Sequence, residues 1–175
     1  MPFADIARKS NEPLDVKIGI PDQQRKAIAD GLSKLLADTY TLLGKTHGFH
    51  WNVEGPTFHS LHEMFQEQYE DLQGAVDEIA ERIRALGYFP PGSLSQFLKH
   101  TSIKDEHGTP DARNMVEQIV RDNEEVTRTA REIVQICDEA NDTVTEDLLN
   151  KRMGAHEKVA WMLRSTLAKS DLVRN

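Results

Sequence analysis

Only one cysteine, Cys137, stands among the 175 residues. No disulfide can close within the chain, so a reducing, cytoplasmic setting is expected. Cys137 shares a helical stripe with Val126, Ile133 and Val134 and reads as a core residue. No apolar run approaches a membrane span, and the N-terminus lacks the apolar stretch of a secretory signal, so no membrane partner is expected. Basic residues are in the minority: 21 Lys and Arg face 29 Asp and Glu, for a net charge of −8. This balance excludes binding nucleic acid over the whole surface, which needs clustered cations, and it suits attraction of metal ions. Strand-like alternation is missing throughout, which leaves an all-α chain of one-domain size.

What the chain has is helical periodicity. Residues 1–20 hold Pro2, Pro13 and Gly19 without sustained pattern and read as an extended arm whose charges cancel. From Pro21, a stripe of Ile28, Leu32, Leu35, Leu36, Thr39, Leu42, Leu43 and Thr46 predicts a first helix to about Asn52. Gly44 interrupts it and suggests a close helix contact. After the turn at Gly55-Pro56-Thr57, with Thr57 as cap, a second helix carries Phe58, Leu61, Phe65, Leu72, Val76, Ile79, Ile83 and Leu86 and stops at Gly87. Residues 88–110 form a long connection, with room for a short helix at residues 93–98. Thr109-Pro110-Asp111 opens a third long helix, with the Thr109 hydroxyl as its cap, and Thr143 with Glu146 predicts a capping box for the fourth. The fourth stripe includes Leu149, Met153, His156, Ala160, Leu163 and Leu167, with His156 read as a hydrogen-bonded core residue. Four long helices with one long crossover describe a ferritin-like four-helix bundle over residues 21–170, leaving 171–175 as a tail.

Four histidines fall within sixteen residues, as the pairs His47/His50 and His59/His62. An i, i+3 pair shares one helix face, so either pair can chelate a transition metal. None of the seven histidines follows a glutamate by three residues, so the internal Glu-x-x-His site of many di-iron bundles is missing. Asp77 and Glu81 supply an acidic i, i+4 pair further along the second helix. Fifteen residues separate His62 from Asp77, roughly 22 Å of helix at 1.5 Å per residue. Metal–ligand bonds are about 2 Å long, so these residues cannot share an ion within one subunit. Two second helices packed antiparallel about a two-fold axis, with its centre near residue 70, would bring them together twice.

The run His50-Trp51-Asn52-Val53, with Gly55-Pro56 and Phe58, is followed by Leu61-His62-Glu63 with Phe65, then by Asp77-Glu78-Ile79-Ala80-Glu81-Arg82-Ile83. Together these resemble the Dps family of mini-ferritins across the four-helix region. The resemblance implies a hollow homododecamer that oxidises ferrous iron at two-iron sites shared between subunits, stores ferric mineral inside and protects DNA. Hydrogen peroxide, or else O2, would be the oxidant, and zinc a possible substitute metal. Ligation is implied for His50 and His62 of one subunit with Asp77 and Glu81 of another. A further carboxylate is usual four residues after the second histidine, where this chain has Gln66, a neutral and weaker donor.

Other roles follow from the same resemblance. Trp51 adjoins a ligand, where it either intercepts oxidising equivalents or packs an interface. By position alone, His47 and His59 read either as second-layer partners of the ligands or as ordinary exposed histidines of a helix face. Glu63, Glu67 and Glu70 are candidates for mineral nucleation. Asp147, Glu146 and Asp142 would line three-fold pores that admit iron, although the helix dipole alone favours carboxylates there. DNA is the less supported partner: the tail from Lys169 to Asn175 has a surplus of one positive charge. The alternative reading is a structural, nucleoid-associated cage in the cytoplasm with weak ferroxidase activity.

Overall fold

The apolar stripes fold as five helices in a computed structural model that describes residues 14–168. The first thirteen residues of the expected arm, and the expected tail 171–175, lie outside the described residues. Helices α1 (Asp22–Asn52), α2 (Phe58–Ala85), α4 (Ala112–Ala140) and α5 (Thr143–Leu167) make the bundle, and the short α3 (Leu94–His100) sits in the long connection. No strand occurs among the described residues, and none of these helices is long and apolar enough to cross a membrane.

Side-chain pairs fix the directions. Lys45 meets Asp122 and Lys34 meets Glu132, so α1 and α4 run antiparallel. Arg82 meets Asp142 and Asp71 meets Arg152, so α2 and α5 do likewise. Helices α2 and α4 are therefore parallel, and the segment between them must return the full length of the bundle. It is pinned on the way. Asp38, fully buried on α1, accepts hydrogen bonds from Thr101 Oγ1 (3.0 Å), the Ser102 amide and Thr129 Oγ1 (2.9 Å). Burial nevertheless dominates and raises the pKa of this carboxyl.

Helix ends depart from the expected caps in instructive ways. Thr57 occupies the N-cap position of α2 without a capping side-chain bond. Asp111, not Thr109, caps α4 by accepting from the Asn114 amide at 2.8 Å. Asp142, not Thr143, caps α5, because Asn141 turns the chain through the left-handed region (φ 54°) and places the carboxylate that follows it over the first turn. Gly87 ends α2 as expected, just beyond Leu86. At φ 98° its amide bonds Arg84 O and the next amide bonds Ile83 O. A Cβ on Gly87 would also meet Leu14 O, Val16 and Arg25 at about 3 Å, so residues 14–16 dock against this turn. Among the described residues nothing lies within 4 Å of where a Cβ on Gly44 would stand, so the contact expected there is not made; a Cβ on Gly31 would instead meet Ile133.

Cys137 is fully buried, and burial pushes its thiol up to about 12. Asp142 is similarly enclosed. It takes both bonds from Arg82 Nη2 at 2.7 and 2.8 Å, while Arg82 Nε donates to Thr145 Oγ1 at 2.7 Å. Burial alone would raise this carboxyl, but the bonds from Arg82 and Thr145 outweigh it and hold the pKa below its ordinary value. Replacing Asp142 with Asn should cost about 3 kcal/mol at neutral pH, because it strips a buried cation of its partner. A depressed carboxylate stabilises the fold above its unfolded pKa, and this contribution is lost as pH falls through the folded one. Urea unfolding of both proteins should therefore show a gap that narrows in acid; a gap independent of pH would refute this assignment.

Candidate metal centre

Helix α1 ends and α2 begins around a five-residue turn, residues 53–57, with Gly55 at φ 106°. The turn folds the end of one helix beside the start of the other. It stacks the imidazoles of His50 and His62 with ring centres 3.7 Å apart and planes 21° from parallel. Each ring is tied to the other residue's backbone. His50 Nδ1 lies 2.9 Å from His62 O, and His62 Nδ1 lies 2.8 Å from His50 O. A carbonyl only accepts, so both Nδ1 atoms must carry hydrogen and both neutral rings keep the Nε2 lone pair. Two oriented nitrogen donors of this kind are what a divalent transition metal requires. His50 is buried and His62 half-buried.

Around the pair, the aromatic packing is continuous. The His47 ring lies between Trp51 (4.2 Å) and Tyr69 (4.3 Å), and Tyr69 presents itself edge-on to His50 at 5.2 Å. Phe58 lies 5.1 Å from His62. Tyr69 was not apparent from sequence motifs. Its signal was position alone, since seven residues after His62 return to the same helix face. His59 points away, with a side chain 83% exposed and 3.5 Å from Glu63.

Asp77 and Glu81 are exposed on α2 and do not approach the histidines of their own chain: the unbroken helix keeps them roughly 22 Å or more away along its axis. Among the described residues, no three His, Cys, Asp or Glu side chains gather into a group that can hold a metal. His62, Gln66 and Asp77 fall within about 60° of one another around the α2 axis, with Glu81 some 40° beyond. The stripe lies opposite the buried Leu61, Phe65, Leu72, Ile79 and Ile83. Gln66 Nε2 donates to Glu70 Oε1 at 2.8 Å, which leaves the amide oxygen free to accept a cation. Glu63, Glu67 and Glu70 are all exposed.

Of the three pore candidates, Asp147 is exposed beside Lys151 (3.3 Å) and Glu146 is half-buried. Asp142 must be withdrawn from that set. Its carboxylate is 2% exposed and committed to Arg82 and the α5 cap, so it offers no charge to a passing ion.

Comparison with known proteins places the fold. Residues 29–173 match a ferritin-like domain. A low-temperature-induced protein of Nostoc is 44% identical over 91% of this chain and 90% of its own. DNA protection during starvation protein 2 of Bacillus anthracis is 39% identical over 81% of this chain and 97% of its own. The Dps crystal structure from Vibrio cholerae, described as a member of the ferritin-like diiron-carboxylate superfamily, superposes with a TM-score of 0.84 at 32% identity. It covers 90% of this chain and 99% of that one. With a matching domain over most of its length and several such relatives, the chain belongs to the Dps family of ferritin-like proteins.

Proposed function

We propose that this protein is an iron-storing and iron-detoxifying ferroxidase that works at sites completed by a second copy of itself. The observation that carries the reading is the clasped pair His50 and His62, whose Nδ1 atoms are spent on carbonyls and whose Nε2 atoms are free. Asp77 and Glu81 of a partner would supply the negative charge that two neutral imidazoles lack. The exposed stripe on α2 supports an antiparallel pairing about a two-fold axis, as do the large apolar side chains near its start: Trp51 and Phe58 are 66% and 44% exposed. Twelve chains of 19.8 kDa in a closed shell would total about 240 kDa.

Ferrous iron is the substrate. Two ferrous ions give up one electron each, and one hydrogen peroxide takes both as its O–O bond breaks, so no hydroxyl radical is released. The ferric ions hydrolyse to oxyhydroxide, releasing protons, and the mineral collects inside the shell. The chain's own residues bind and orient the ions, and exposed Glu63, Glu67 and Glu70 offer surfaces on which mineral starts. Asp147 and Glu146 would be the carboxylates that admit iron at the three-fold pores of such a shell. Removing iron and peroxide together would protect DNA whether or not DNA is bound.

Three measurements bear on this. Anaerobic loading with ferrous iron followed by peroxide should give ferric absorbance much faster than in protein-free buffer, and His50→Ala with His62→Ala should abolish the fast phase. An unchanged rate in that variant would place the chemistry elsewhere. Subunits carrying His62→Ala, refolded with subunits carrying Asp77→Ala, should recover about a quarter of the sites under random pairing. No recovery in properly assembled mixtures would contradict the shared site. Gln66→Glu restores a charged donor and should tighten the weaker of two iron-binding steps in anaerobic titration, whereas weaker or equal binding would remove Gln66 from the site.

A further inference from the structure

Among the described residues, buried side-chain polar atoms are almost all paired. The exceptions collect in one place. Among the described residues, five buried side-chain nitrogen and oxygen atoms lack a partner: Thr46 Oγ1, both ends of the Gln68 amide, Arg152 Nε and His156 Nε2. The helix registers bring their owners to one level of the bundle. Phe49 packs against Phe65, and one turn back along α1 and forward along α2 Thr46 comes level with Gln68. Asp71 bonds Arg152, and one turn back along α2 and forward along α5 Gln68 comes level with His156. His156 is joined directly to Asn123 of α4, with Nδ1 2.8 Å from Oδ1. Each long helix thus contributes one buried polar residue to the layer: Thr46 at 0%, Gln68 at 4%, Asn123 at 0% and His156 at 2% exposure.

The chemistry of the unpaired atoms decides what belongs among them. Asn123 Nδ2 donates to Ile119 O, so its Oδ1 is an acceptor and His156 Nδ1 must donate to it. His156 Nε2 is then a bare lone pair, and burial pushes the imidazole down to about 3, so it stays neutral. Gln68 Oε1 is a second acceptor, while Gln68 Nε2 and Arg152 Nε are donors. Thr46 Oγ1 does both. It is freed for this because it forgoes the bond to the carbonyl four residues earlier that Thr39 and Thr41 on the same helix make at 2.7 and 2.8 Å. A cation would satisfy the acceptors and repel the donors, with the charge of Arg152 one turn away. An anion would have the opposite fault. Only a small neutral molecule that both donates and accepts matches the set.

We infer that the level of Thr46, Gln68, Asn123 and His156 is a built internal site for ordered water, one or two molecules bridging four helices. Each unpaired group costs free energy if the layer is dry, and a buried water with two to four polar partners removes that cost. The layer lies one turn along α1 from His50, and Gln68 adjoins Tyr69, yet the inference stands independently of the iron chemistry.

The test is a crystal structure of the whole assembly at a resolution that places water, with a second data set from crystals soaked in ferrous iron or zinc. Solvent density within hydrogen-bonding distance of His156 Nε2 and the Gln68 amide is expected. It should persist after chelator treatment and show no anomalous signal. A metal peak at that level would overturn the inference, as would empty space with Gln68 turned to bond His156 directly. Gln68→Met, similar in length and apolar, gives an independent reading through the thermal midpoint. Removing a hydrated anchor should lower the midpoint, whereas a dry layer would gain by losing two unpaired atoms. An equal or higher midpoint would therefore refute the water site.

Discussion

The reciprocal tie between His50 and His62 governs how this bundle presents its chemistry. Each imidazole binds the backbone of the other residue, so the last turn of α1 and the first full turn of α2 are fastened across a five-residue turn. The tie sets three things together: the angle at which the first hairpin closes, the tautomer of both rings and the direction of two free nitrogen atoms. A side chain swinging freely in solvent would lose rotamer entropy on binding an ion. Here that entropy is already lost in folding.

The opposite constraint comes from α2 itself. An uninterrupted helix from Phe58 to Ala85 is a stiff rod, and its carboxylates at Asp77 and Glu81 cannot fold back on its histidines. One hairpin therefore displays nitrogen donors at one end and oxygen donors toward the other. The buried charges elsewhere serve mechanical purposes. Arg25 donates to Leu86 O at 2.7 Å and to Ile20 O at 3.2 Å, joining the chain before α1 to the end of α2. Asp38 fastens the crossover, and Arg82 with Asp142 fixes the start of α5. These three interior charges each hold a connection, whereas Lys45 with Asp122 and Arg152 with Asp71 join neighbouring helices along their length.

This division explains what was legible in the sequence. Apolar stripes of period 3.6 are repeated over many residues, so the four long helices could be read directly, and the short α3 from its place between prolines and glycines. The Gly87 stop was legible because a left-handed residue needs glycine there. Single polar residues carry no such repetition. Thr143 and Asp142 are both good caps, and the choice between them depended on Asn141 adopting φ 54°, which no local pattern specifies. Gly44 and Gly31 look alike on paper, but only the packing partner of α1 decides which one sits under Ile133. The carbonyls that orient His50 and His62 are backbone atoms, present at every position and silent in any motif. Thr46, Gln68, Asn123 and His156 lie on four separate helices, so their shared level exists only after the registers are set.

The lone sulfur nucleophile of the chain offers a last consequence. Thiols are attacked by peroxide as thiolates, and a group pushed up to about 12 and fully enclosed is almost never in that form near neutral pH. Cys137 therefore sits outside the reach of sulfenic acid formation and of cross-linking between neighbouring copies. A protein exposed to oxidants for long periods would age through its other residues, and neighbouring copies would not become joined through disulfides at this one.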